Sequence, residues 1–188
     1  MLPVSVLQEK EMSAVHYPLC VDLDDTLLDG DMLYIVFWNA LRAKPIKTLI
    51  ALLSLIRSRA SLKSSLSKLY KVEPHLLSFN QKVIDYIKEQ KKMGRKVVLA
   101  TASHLTWATV VAEHLKLFDD VLGSDDTVNL KGESKAKELL SRYSEFEYIG
   151  DSYADFSVWK VAARGRVVSS TSTFLNEVSE KFPHVYEL

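Results

Sequence analysis

Short continuous apolar runs alternate with helical patterns along this chain, and that alternation restricts the available folds more than any other feature of the sequence. YPLCVDL (17–23), KVVLAT (96–101), FDDVLGS (118–124), EYIG (147–150) and GRVVSS (165–170) have the length of strands, with GRVVSS the last. Between them, helices are predicted over about 80–94, 105–116, 134–143 and 153–163. Strand–helix–strand order implies right-handed crossovers and a parallel sheet. Runs that are apolar throughout, rather than alternating, imply a sheet covered by helices on both faces. One block departs from the pattern. Residues 31–79 read as helices alone, over 31–43, 46–58 and 61–70, with a break at Lys44–Pro45 because the residue before proline avoids the helical region. Coming directly after the first strand, this block is expected to be an insertion over the carboxyl edge of the sheet, where such folds place their sites. The chain then divides into an α/β core of 1–30 and 80–188 and a small helical cap of 31–79.

Composition removes several function classes. Hydrophobic residues are 47% of the 188, too many for a disordered chain. Lys plus Arg and Asp plus Glu both number 24, which argues against nucleic-acid binding driven by bulk charge. The single cysteine, Cys20, excludes an internal disulfide and a Cys-rich zinc site, and points to a reducing cytoplasm. The N-terminal residues lack the basic start and long apolar core of a signal peptide. The longest apolar stretch, Ile46 to Ile56, contains Lys47, Thr48 and Ser54 and falls short of the ~20 residues that span a bilayer. Tyr34, Phe37, Trp38 and Leu41, with LIALLSLI (49–56), are expected to be buried cap core, since amphipathic core helices are common. The alternative is a lipid-facing surface, helped by the basic neighbours Lys44, Lys47, Arg57, Arg59 and Lys63. His16, His75, His114 and His184 show no metal-ligand spacing.

Acidic residues gather at predicted strand ends. Asp22-Leu23-Asp24-Asp25-Thr26 ends the first strand, and side chains alternate along a strand, so Asp22 and Asp24 point the same way. Two such carboxylates repel unless a cation lies between them or one keeps a proton, and either state suits nucleophilic or acid–base work. Gly150-Asp151-Ser152-Tyr153-Ala154-Asp155 follows EYIG and brings further carboxylates to the same edge, a set suited to Mg²⁺. Asp151 is alternatively an N-cap. Thr101 ends KVVLAT, where a hydroxyl can bind a phosphate oxygen or, with Ser103 as competitor, cap the next helix. Lys135 lies in the first turn of a helix, where a cation opposes the dipole unless an anion is near. Lys131 competes for that role.

Together, Asp22-x-Asp24-x-Thr26, Thr101, Lys135 and Gly150-Asp151-x-x-x-Asp155 resemble, in order, the four motifs of the haloacid dehalogenase superfamily. The helical block is similar to the small cap of its phosphoserine-phosphatase-like branch. The strings LATAS (99–103), NLKGESKAKEL (129–139) and YIGDSYADFSVW (148–159) resemble the soluble domain that precedes UbiA-type prenyltransferase domains in bacterial two-domain proteins.

The resemblance implies a Rossmann-like fold and Mg²⁺-dependent hydrolysis of a phosphate monoester. In that scheme Asp22 is the nucleophile and Asp24 the general acid and base. Mg²⁺ is held by Asp22, the Asp24 backbone carbonyl and Asp151, with Asp155 bonding behind them. Thr101, Ala102 and Lys135 bind the phosphoryl oxygens. The implied partners are a small phosphorylated metabolite and a membrane prenyltransferase domain, at the cytoplasmic membrane surface if the latter holds. Transfer to another acceptor, or a non-catalytic accessory role, are the alternatives. Asp25 stands where many relatives have Gly, and His104 where many carry an acid. Asp31 is expected either to contact substrate or to cap the helix that follows it.

Overall fold

The computed structural model describes residues 17–56, 58–168 and 171–188. The expectations for the N-terminal leader, for His16, for Arg57 and for the end of GRVVSS at 169–170 lie outside these residues. The strands are β1 (Leu19–Val21), β2 (Val97–His104), β3 (Asp120–Ser124), β4 (Glu147–Gly150), β5 (Arg164–Val167) and β6 (Val185–Glu187). They form one sheet in the order β3-β2-β1-β4-β5-β6, with every pairing parallel. The helices are α1 (Met32–Ala43), α2 (Pro45–Leu52), α3 (Arg59–Leu69), α4 (Gln81–Lys92), α5 (Leu105–Leu115), α6 (Glu133–Arg142), α7 (Phe156–Trp159) and α8 (Ser172–Lys181). This is the expected α/β Rossmann-like architecture.

The alternation of side chains across each strand sorts the core into two layers. Leu19, Val21, Val97, Leu99 and Ile149 join a cluster with α4 and α5 on one face. Cys20, Val98, Ala100 and Tyr148 join Leu139, Trp159 and Val178 on the other. Burial on both faces is why these strands read as unbroken apolar runs.

The helical block leaves and re-enters the core through a narrow neck. Leu28 bridges Phe79 in antiparallel fashion, Asp29 N–H donates to Ser78 O at 3.0 Å, and Asn80 N–H donates to Leu27 O at 2.9 Å. Met32, Val36, Ala40, Leu62 and Leu66 extend the first apolar cluster into the block, so block and core share one interior. Pro45 starts α2 at its first turn, where its missing N–H costs nothing, and Lys44 before it lies outside the helical region.

Several expectations are corrected. The helix expected over 46–58 ends at Leu52 and tightens into a 3₁₀ turn over Leu53–Ile56. LIALLSLI is not buried between cap helices: Leu49, Ile50, Leu53, Leu55 and Ile56 are all exposed, and so are Tyr34 and Trp38. The interior there is filled by the smaller Val36, Ala40, Thr48 and Ala51 instead. The helix expected over 153–163 shrinks to a 3₁₀ turn over Tyr153–Asp155 plus α7. GRVVSS is not the last strand, because α8 and β6 follow it and β6 forms the edge beyond β5.

Candidate active site

Chain reversal at the end of β1 sets the position of the first acids. Asp22 is extended and accepts a hydrogen bond from Leu23 N–H at 2.8 Å. Asp25 then adopts φ 52°, the left-handed region that favours Gly and that Asp tolerates better than most residues. This turn carries Asp22, Asp24 and Thr26 to the carboxyl edge of the sheet, where β1 and β4 lie side by side. After β4, Gly150 brings the chain against Asp155 so closely that a Cβ there would stand 2.7 Å from the Asp155 carboxyl carbon. Asp155 Oδ2 gathers Asp151 N–H, Ser152 N–H and the Ser152 hydroxyl at 3.1–3.2 Å. Ser152, not Asp151, caps the following turn. Asp151 is therefore free to face Thr26, whose hydroxyl donates to its Oδ1 at 3.1 Å.

Lys135 lies in the middle of this acidic group and is 2% exposed. Its Nζ stands 3.0 Å from Asp22 Oδ1 and 3.7 Å from Asp155 Oδ1, and it donates to the Tyr148 hydroxyl at 2.6 Å. Tyr148 in turn donates to Asp155 Oδ1 at 2.7 Å. Burial works against the ammonium, but Asp22 and Asp155 outweigh it and hold the Lys135 pKa above its ordinary value. Lys131 is exposed at the cavity edge, so geometry separates the two lysines. Burial, only partly offset by Lys135, pushes the Asp22 carboxyl upward. Asp151 is pushed up to about 7, first by burial and then by Asp155 and Asp22.

Asp24 faces another way. Its Oδ1 accepts Met32 N–H at 2.7 Å and its Oδ2 accepts the Ser103 hydroxyl at 2.7 Å and the Thr101 hydroxyl at 3.3 Å. Burial raises its pKa against the pull of those donors. The expected phosphate-binding hydroxyl of Thr101 is thus turned to Asp24, and it also accepts Ser103 N–H. Thr101 does not line the cavity, whereas Ala102 and Ser103 do. His104, not Thr101 or Ser103, caps α5 through Thr106 N–H.

The cavity over these groups has a volume of about 240 Å³. Its roof comes from the helical block and includes Arg59, Lys63 and Asp31. Lys63 is nearly buried and reaches across to Ala102 O at 2.5 Å and Asn129 Oδ1 at 3.1 Å. Asn129 and the roof position of Lys63 were not singled out by sequence reasoning, and Ser103 was expected only as a helix cap. Lys63 had counted only as a basic surface neighbour, and no local spacing marks a side chain that arrives from another element. Asp31 caps α1, its side chain accepting Tyr34 N–H at 3.0 Å, and it also borders the cavity.

Oxygens of Asp22, Asp151 and Asp155 lie within 4.8 Å of one another, a donor set suited to a hard cation. Asp155 is saturated by Tyr148, Ser152 and the Asp151 N–H. The second carboxylate oxygens of Asp22 and Asp151 accept no hydrogen bond among the described residues. The residues present therefore fit a hard divalent cation such as Mg²⁺.

Known proteins share this framework. A solved structure of a protein of unknown function from Bordetella pertussis Tohama I superposes with a TM-score of 0.67 at 15% identity, covering 92% of this chain and 98% of that one. A probable phosphoserine phosphatase from Vibrio cholerae gives 0.60 at 14% identity over 96% of this chain and 66% of its own. A substrate-bound phosphoserine phosphatase gives 0.60 at 16% identity over 90% and 92%. A curated relative, the uncharacterized protein y4nM of Sinorhizobium fredii, is 32% identical over 164 residues, 87% of this chain. The chain spans 32% of that relative's length. The haloacid dehalogenase-like hydrolase family model matches residues 19–160, which include every motif residue of the acidic site, and the chain belongs to that family.

Proposed function

We propose that this chain hydrolyses a phosphate monoester through a covalent phosphoryl group on Asp22, with Mg²⁺ as cofactor. One observation carries the reading: Asp22, at the end of the central strand and on the cavity wall, is paired with the buried Lys135 and keeps a carboxylate oxygen free of hydrogen bonds among the described residues. A phosphoryl group needs positioning and charge neutralisation more than covalent chemistry. Lys135 and the edge formed by Ala102 and Ser103 supply hydrogen-bond donors and shape for its oxygens. Asp22 and Asp151 would hold Mg²⁺ together with the Asp24 main-chain carbonyl, and the ion supplies charge neutralisation for the phosphate.

In the first half-reaction Asp22 attacks phosphorus, the bond to the leaving oxygen breaks, and Asp24 gives that oxygen its proton. A raised pKa suits Asp24 to hold the proton beforehand. In the second half-reaction Asp24 takes a proton from water, which attacks the aspartyl-phosphate and releases inorganic phosphate with Asp22 restored. The small size of the cavity supports a small phosphorylated molecule as substrate. Association with a membrane prenyltransferase domain is a further proposal, supported by the resemblance and by the greater length of the curated relative.

Turnover of an aryl phosphate with and without Mg²⁺ tests the reading. Expected is Mg²⁺-dependent turnover, inhibited by Ca²⁺ because Ca²⁺ prefers a larger and looser shell. Asp22→Asn should lose several orders of magnitude while staying folded. Equal turnover by that variant, or full activity in excess chelator, would overturn the mechanism.

A further inference from the structure

Helix α2 is amphipathic in reverse. Ile46, Leu49, Ile50 and Leu53 recur at the spacing of one helical face, and each is more than half exposed, with Leu53 at 64%. The opposite face, turned inward, carries Thr48 and Ala51. Thr48 is settled there by a hydroxyl bond to Lys44 O at 3.0 Å. Ile56, in the turn that continues the helix, is 87% exposed. On α1, which packs beside α2, Tyr34 and Trp38 add two exposed rings in edge contact at 5.9 Å. Single exposed apolar residues need no explanation, but a stripe along one helix does.

Charge identifies what covers this face. The segment 31–79 contains eight lysines and arginines against two acids, in a chain whose net charge is zero. Arg42, Lys44 and Lys47 stand exposed at one end of the stripe and Arg59 beyond the other. Aliphatic side chains on one helical face, aromatic rings beside them and cations at the rim are the composition of a helix that lies in the plane of an anionic bilayer surface. No helix among the described residues is long and apolar enough to cross a membrane. We propose that the exposed face of α2, with Tyr34 and Trp38, docks this chain onto membranes rich in anionic lipid. Arg59 both flanks the stripe and borders the acidic cavity, so docking would bring the mouth of the site toward the lipid headgroups. The inference stands whether or not the chain is a phosphatase.

The test is co-sedimentation of the full chain with vesicles of phosphatidylcholine alone or mixed with phosphatidylglycerol. Binding to the anionic vesicles is expected to exceed binding to the neutral ones by about tenfold or more, and to weaken in high salt. L49S/I50S/L53S and, separately, K44E/K47E should each remove that preference while leaving aryl-phosphate turnover and the circular dichroism spectrum unchanged. These positions are exposed, so the variants should fold; the charge-reversed pair repeats the test without altering the apolar stripe. Absence of vesicle binding would overturn the proposal. So would equal binding to neutral vesicles, or a dimer in solution that L49S/I50S/L53S dissolves, since the face would then be a contact between copies.

Discussion

Lys135 illustrates how a single buried side chain holds a group of carboxylates together. It is the cation paired with the Asp22 and Asp155 carboxylates at the base of the cavity. Removing one partner of a buried ion pair costs about 3–5 kcal/mol, because the remaining charge is uncompensated. Lys135→Met should therefore lower the melting temperature, and added Mg²⁺ should recover part of the loss by replacing the missing positive charge. A variant whose melting temperature matches the parent would contradict the assignment. Asp31→Ala removes the N-cap of α1 and should cost about 0.5–2 kcal/mol of stability. Because Asp31 also borders the cavity, the same variant should raise the Michaelis constant for the cognate substrate more than for a minimal aryl phosphate. Equal selectivity would leave it a cap alone. The acids and Lys135 were legible in the sequence because each follows a strand or opens a helix. Thr101's turn toward Asp24 was not, since it depends on the shift of register within β2 between Ala100 and His104, where the ladder to β3 becomes irregular.

At the scale of elements, the sheet was legible and the surface of the inserted helices was not. Hydrophobic period identifies a helix, but it does not say which way the apolar face turns when smaller residues can fill the interior. That is why 49–56 was expected to be buried. The unit of α8 and β6 was missed because β6 is only three residues long and α8 buries only Phe174 and Val178. Asp119 shows how one side chain can tie the start of a strand to the helix before it. Its carboxylate accepts Val97 N–H at 2.8 Å at the head of β2 and pairs with Lys91 at 2.7 Å. Partial burial pushes its pKa up, but Lys91 and the Val97 N–H prevail and hold it below the usual carboxylate range. A carboxyl with a depressed folded pKa stabilises above its unfolded value near 3.9 and loses that contribution as pH falls through the folded one. Asp119→Asn should therefore lower the melting temperature at pH 7, and the difference from the parent should close toward pH 3. A difference that persists in acid would mean that the side chain acts through shape rather than charge.

The whole molecule contains a reporter that needs no assay of its chemistry. Cys20 is the only cysteine and lies in the central strand, fully buried. Burial, against weak opposition from Arg95 and Lys96, pushes its thiol up to about 12. The thiolate is the reactive form, so reagent at pH 8 should reach Cys20 only when the sheet comes apart. Local fraying will not expose it, because β1 is paired to β2 on one side and β4 on the other. The opposite end of the sheet is held too, by buried Glu147, which takes Arg95 at 2.7 Å and Tyr86 at 3.0 Å. Labelling therefore tracks global unfolding. A cation bound only by the folded chain shifts that equilibrium, and at a hundred times its dissociation constant it adds about 2.7 kcal/mol. Labelling of the parent protein in dilute denaturant should then slow by about a hundredfold in saturating Mg²⁺. Asp151→Asn removes a proposed ligand at a position distant in sequence from Cys20, and it should abolish most of that protection while its own Mg²⁺-free rate stays measurable. Rapid labelling without denaturant would mean that β1 opens locally. A rate indifferent to Mg²⁺ in the parent would remove the ion from the acidic site.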